Sequence, residues 1–358
     1  MTLRKTGARV LLSVASVALA LGAAEALFRL RTAADDAPDG GDDGWRERYR
    51  RMNETLYRRS DDPELIYEPV PGASVEMEYG VAAFNSAGMR DDREHAPRSE
   101  RRRVALLGDS LVWSEFVALE DSLARRTEEE LGEEWDVLAF GVTGYDTSQE
   151  ARWYERAARP FAPDVVALVW CMNDLMIMSG PFERYASEAE RADKDAQEAL
   201  MEREAPVRRE TIDGVMEARE REATFKVLAR AMGLFSRWRF EASYVDEYLV
   251  AFRDRERRAR ARRAILRLGR AARADGARPV LVISPVLESW ERYHWRPLHD
   301  FVRRAGEEAG FTVVDPLDAW RASHDAAELR ISGDNLHYDR SGHRVLARAV
   351  ADAVREAP

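Results

Sequence analysis

The sequence predicts an α/β domain built on a mainly parallel sheet with helices on both faces. Short apolar runs recur at residues 104–107, 136–140, 164–170, 279–284 and 311–314. Patterns with helical spacing separate them at 119–131, 148–158, 293–306 and 341–356. Strands that alternate with helices imply parallel pairing, because each return crossover lays a helix on the sheet. Apolar runs without polar alternation imply strands buried on both faces.

The chain has 358 residues, enough for one large α/β domain with appendages. Arg4, Lys5 and Arg9 precede an apolar stretch at residues 10–24, which continues past Glu25 to Phe28. Basic residues before an apolar run keep the N-terminus cytoplasmic, and a helix of about 19 residues spans a bilayer. Residues 1–30 therefore read as a signal-anchor, or as a signal peptide cut near Ala18-Leu19-Ala20. Either would place the remainder outside the cytoplasm, at the membrane or secreted. Residues 31–102 read as a polar linker followed by short extended pieces and turns. The main domain then occupies 103–358, interrupted by a charge-dense helical insert at about 183–263. Its basic run at 255–263 lies among acidic residues and reads as a self-neutralised helix face.

Charge and composition exclude several functions. A net charge of −10 argues against nucleic acid as a partner, since phosphate binding needs a basic face. Cys171 is the single cysteine, which rules out an intrachain disulfide and a cysteine-rich zinc site.

The chemistry-bearing residues follow the ends of the predicted strands. Leu107-Gly108-Asp109-Ser110-Leu111 closes the first apolar run and places a serine at the start of a helix. A serine hydroxyl needs a base to become a nucleophile, and the chain has only six histidines. His337, in Asp334-Asn335-Leu336-His337, has a carboxylate three residues before it to fix its tautomer and stabilise its imidazolium form. Asp92 and His95 share that spacing but fall in a charged loop expected to be solvated. His343 reads as a helix-start residue, and His294, His299 and His324 as surface or packing residues without metal-ligand spacing. Acyl chemistry also needs donors for a tetrahedral oxyanion. Gly144, in Gly141-Val142-Thr143-Gly144-Tyr145, and the Asn173 amide, in Cys171-Met172-Asn173-Asp174, follow the second and third strands. Ligands gather at the carboxyl ends of parallel strands, so one crevice can collect all of these groups.

These blocks resemble those of the SGNH/GDSL hydrolase superfamily. Gly108-Asp109-Ser110 resembles its first block, Gly144 its second, Asn173 with Asp174 its third, and Asp334 with His337 its last. The resemblance implies a flavodoxin-like, three-layer α/β/α fold with a five-stranded parallel sheet. It implies a catalytic triad of Ser110, His337 and Asp334. It also implies an oxyanion hole from the Ser110 and Gly144 backbone N–H groups and the Asn173 side chain, with no metal or organic cofactor. The upstream Asn85-Ser86-Ala87-Gly88-Met89-Arg90 and the N-terminal segment resemble bacterial membrane-anchored members. Two positions depart from the pattern: Cys171 replaces a usual glycine, and Ala139 replaces a frequent asparagine.

The expected activity is hydrolysis of an acyl ester, such as an O-acetyl group on an envelope or exported glycan. The same triad would serve an O-acyltransferase, and loss of catalysis would leave an envelope scaffold that uses the insert as a binding surface. Trp113, Trp290, Tyr293 and Trp295 are candidate sugar-stacking residues, with core packing as the alternative.

Overall fold

The computed structural model describes residues 42–175, 184–187, 251–288, 290, 293–331 and 336–357, with the backbone alone for 42–47. The chain divides into two compact units, residues 47–201 with 247–358, and residues 1–46 with 202–246. The second unit is described only where helix α1 (Asp42–Leu56) begins. The expected N-terminal membrane segment therefore lies outside the described residues, as does most of the expected insert. Among the described residues, no helix is long and apolar enough to cross a membrane.

The larger unit is organised by five parallel strands: β5 (Arg102–Gly108), β6 (Trp135–Gly141), β7 (Val165–Trp170), β8 (Arg278–Ile283) and β9 (Thr312–Val314). Their spatial order is β6-β5-β7-β8-β9. From Val104 to Leu107, β5 has no exposed residue, and Val165 to Trp170 in β7 are likewise buried. These strands meet helices on both faces, so the apolar runs carry no polar alternation. Right-handed crossovers then fix the sides. Helices α3 (Leu123–Leu131) and α7 (Arg340–Glu356) pack together on one face. Helices α4 (Thr147–Trp153), α5 (Arg255–Ala274) and α6 (Arg296–Glu308) cover the other.

This order is that of flavodoxin-like sheets, in which the chain reverses direction beside the first strand. Here the reversal falls between β5 and β7, whose carboxyl ends lead to Ser110 and Asn173.

Two stretches differ from the sequence reading. Residues 42–56, expected within a polar linker, form α1. Tyr49, Met52, Asn53 and Leu56 share one face, and Met52 and Leu56 are fully buried. That stripe is short and includes a tyrosine and an asparagine, so composition masks it. Beyond α1, β1 (Tyr57–Arg59) pairs with β2 (Tyr67–Pro69), and β3 (Ser74–Met77) with β4 (Gly80–Ala83), as two antiparallel hairpins. Second, residues 255–263 do not belong to an insert but open α5, which buries Ala261, Ala264, Ile265, Leu268 and Ala272. Its arginines meet acids: Arg260 pairs with Asp146, Arg262 with Glu308, and Arg267 with Glu64 and Glu155.

Candidate active site

The turn after β5 is built by close approach. A Cβ at Gly108 would stand 2.5 Å from Val112 Cγ2, and one at Gly141 would strike the Trp113 amide nitrogen. Glycine at both strand ends lets the short helix α2 (Ser110–Trp113) lie directly across them. Asp109 caps this helix, its Oδ1 accepting from the Leu111 N–H at 2.9 Å. Ser110 is the first helical residue, so its own N–H has no intrahelical acceptor.

The Ser110 hydroxyl oxygen lies 2.9 Å from His337 Nε2, although 227 positions separate the two residues. A neutral imidazole at that distance can accept the hydroxyl proton. The ring is partly open, with 18% of its side chain exposed, whereas Ser110 is only 6% exposed. Phe116 stands edge-on to the His337 ring, 5.3 Å between centroids at 88°. Asp334 lies outside the described residues.

Asn173 enters from the end of β7 and its Nδ2 donates to Asp109 Oδ2 at 2.5 Å. Asp109 therefore holds both the Asn173 amide and the start of the serine helix. Gly144 sits in the turn after β6 with φ +77°, a left-handed conformation that favours glycine. Its neighbour Thr143 is pinned from the hairpin of β1 and β2. The Tyr67 hydroxyl donates to the Thr143 carbonyl at 2.7 Å, and the Thr143 N–H donates to the Tyr57 hydroxyl at 3.4 Å.

A cluster of buried acids surrounds Asp109. Asp174 accepts from Thr147 Oγ1 at 3.1 Å, and burial with Asp109 and Asp146 nearby pushes its carboxyl well above the usual range. Glu150 is raised by the same burial and by Asp174, Asp109 and Asp146. Neither Glu150 oxygen nor Asp174 Oδ1 has a hydrogen-bond partner among the described residues. These carboxyls are held toward their neutral forms. Cys171 is buried, and its thiol is pushed up in the same way.

One sequence expectation changes, and several left open are narrowed. His95 is not solvated: its side chain is 7% exposed and its Nε2 lies 2.9 Å from Asp91, not Asp92. Asp91 also draws in Arg93 and Arg125, so one buried carboxylate anchors a loop that is otherwise largely exposed. His299 is buried between Asp315, 3.0 Å from Nδ1, and the Tyr293 hydroxyl, 2.8 Å from Nε2. His343 is 1% exposed, and burial with Arg90 and His337 nearby pushes it down to about 3. Trp113 and Trp295 are fully buried and cannot stack on a sugar.

Residues near the site to which the sequence reading gave no role in it come from the segment following α2 and from the N-terminal elements. Glu115 is buried with its Oε2 3.5 Å from His337 Nε2. Arg90 is buried, and its guanidinium donates to the carbonyls of Trp113, Ser114 and Val117. One signal for Glu115 was available: a single acid in the otherwise uncharged run Leu111 to Ala118 just after the serine. Tyr49 had none, because α1 itself was read as linker.

Among the described residues, no group of His, Cys, Asp and Glu is arranged to hold a metal ion. A hydroxyl and an imidazole in contact at the carboxyl edge of a 2-1-3-4-5 parallel sheet form an arrangement suited to nucleophilic acyl chemistry. The chain belongs to the GDSL-like Lipase/Acylhydrolase family, whose model matches residues 106–345, and it is an ester hydrolase.

No curated protein sequence matches it. Similar solved structures include LAE5, an α/β hydrolase from the metagenome of Lake Arreo, Spain. That structure is 14% identical, with 71% of this chain and 95% of that one covered at a TM-score of 0.43. A catalytic mutant of Axe2, an acetylxylan esterase from Geobacillus stearothermophilus, is 15% identical over 71% of this chain and 94% of that one, at 0.41. The acetyl xylan esterase AlAXEase is 12% identical over 70% of this chain and 99% of that one, at 0.40.

Proposed function

We propose that Ser110 is the nucleophile of this ester hydrolase, with His337 as its general base and Asp334 as the carboxylate that orients the imidazole. Ser110 Oγ attacks the ester carbonyl carbon while its proton passes to His337 Nε2. The carbonyl oxygen becomes an oxyanion, held by the N–H groups of Ser110 and Gly144 and the Asn173 amide. When the carbon–oxygen bond to the alcohol breaks, His337 returns the proton to the departing oxygen. Water then attacks the acyl-serine, giving its proton to His337, and the acid leaves as Ser110 is restored.

The observation that carries this reading is the 2.9 Å approach of Ser110 Oγ to His337 Nε2. The Asp109 bond to Asn173 adds to it, because it fixes one amide hydrogen and leaves the other to reach an oxyanion.

The finer reading is a membrane-tethered, extracytoplasmic enzyme that removes a short acyl group such as acetyl from an envelope or exported glycan. It rests on Arg4, Lys5 and Arg9 ahead of the apolar stretch at 10–24.

Steady-state hydrolysis of p-nitrophenyl acetate, together with acetate release from an acetylated polysaccharide, tests both levels. Wild type should hydrolyse the small ester, and Ser110→Ala should not. Equal rates in the two proteins would remove Ser110 from the reaction. Acetate moved onto an added glycan in preference to water would replace hydrolysis by acyl transfer.

A further inference from the structure

The short segment after the serine helix is strained on both sides of one buried acid. Ser114 has φ +58° and Phe116 φ +67°, left-handed conformations that residues with a Cβ rarely adopt. Such strain persists only where the surroundings over-determine it. Here Arg90 donates to the carbonyls of Trp113, Ser114 and Val117, and the Glu115 N–H returns to the Ser110 carbonyl at 3.1 Å. The result turns Glu115 inward, with 2% of its side chain exposed.

Its carboxylate is then engaged from three directions. Oε1 accepts from Thr143 Oγ1 at 3.1 Å and from the Tyr49 hydroxyl at 3.2 Å. Oε2 stands 3.5 Å from His337 Nε2, on the same edge of the ring that meets Ser110. In the reaction proposed above, that edge carries the proton taken from Ser110. A carboxylate there faces the positive charge as it forms.

We propose that Glu115 is a positioning residue that sets the basicity of His337, serving as the counter-charge to its imidazolium from the Nε2 side. The inference rests on the Ser110–His337 reading and adds a second acid to it, on the edge opposite the one an orienting carboxylate uses. A purely structural tether would need no contact with the imidazole, since Thr143 and Tyr49 already satisfy Oε1.

The groups around Glu115 pull in both directions and burial prevails, so its carboxyl lies above the ordinary range. Burial and Asp109 raise its carboxyl, while His337, Thr143 and Tyr49 lower it. Arg90 also faces it, as do the Tyr57 and Tyr79 hydroxyls. When Glu115 is ionised it favours imidazolium, so His337 becomes a free base only at a higher pH than it would alone. Removing the charge must shift the acid limb of the pH–rate profile downward.

The test is kcat/KM for p-nitrophenyl acetate against pH in wild type, Glu115→Gln and Tyr49→Phe. Folding is checked by thermal melting and the nucleophile by fluorophosphonate labelling. In Glu115→Gln the acid limb should fall by about one pH unit. Tyr49→Phe takes one donor from the carboxylate, so less of it is ionised, and the limb should fall by a smaller amount. A folded, labelled Glu115→Gln whose acid limb stays in place overturns the inference. If Glu115→Gln fails to fold, an unmoved limb in Tyr49→Phe overturns it. Wild type that neither labels nor hydrolyses the ester would instead remove the Ser110–His337 reading, and this inference with it.

Discussion

The hydroxyl of Ser110 and the imidazole of His337 meet because two chain ends of one sheet point to the same rim. The cost of losing either follows from how they act. Members of such a pair work as a unit, so His337→Ala should reduce kcat nearly as far as Ser110→Ala, measured on the same ester. A much milder loss in His337→Ala would mean that another group takes the proton. If Asn173 donates to the oxyanion as proposed, Asn173→Ala should lower kcat by about 3 kcal/mol of transition-state stabilisation, with KM little changed.

At this scale the sequence was informative where a residue type is rare or its spacing specific. Six histidines and one Gly-Asp-Ser after an apolar run left few combinations. It was uninformative where placement depends on backbone conformation. Nothing in Ser114-Glu115-Phe116 announces two left-handed residues, so the inward turn of Glu115 could not be read. The solvated reading of His95 failed for a related reason: its partner Asp91 is four positions away rather than three and already holds two arginines.

At the scale of elements, the structure joins the region before the sheet to the reaction centre. The hairpin of β1 and β2 holds Thr143 through Tyr57 and Tyr67, α1 reaches Glu115 through Tyr49, and Arg90 clamps the end of α2. Tyr67→Phe deletes one buried hydrogen bond to the Thr143 carbonyl. It should cost about 1 kcal/mol of stability by urea melts, because the carbonyl loses its donor. Strands β5, β6 and β7 were legible as continuous apolar runs, since burial on both faces leaves no polar alternation. Helix α1 was not, because Met52 and Leu56 are the apolar residues it buries between Arg50 and its end, and the exposed residues there are all charged or polar. The end expected for the insert, at about 263, falls inside α5, because the arginine-rich outer face of that helix outweighs the alanines it buries.

Across the whole molecule, the sheet order places its reversal between the strands that deliver Ser110 and Asn173, and the buried acids Glu150 and Asp174 lie close enough to Asp109 to feel its charge. Both carboxyls are raised above their ordinary values, so their neutral forms are the ones the fold favours. Such a group leaves stability intact below the unfolded value, near 4.5 for Glu150, and erodes it as pH rises through the folded value. Glu150→Gln removes that titration. Its melting temperature should therefore fall less between pH 5 and pH 8 than that of wild type. An equal or larger fall would show that these acids are ionised without penalty.

A fluorophosphonate probe reads the Ser110–His337 contact without any choice of substrate. Wild type should form a single covalent adduct that mass spectrometry maps to Ser110, and His337→Ala should form it far more slowly. An adduct on another residue, or equal labelling rates in the two proteins, would contradict the site described here.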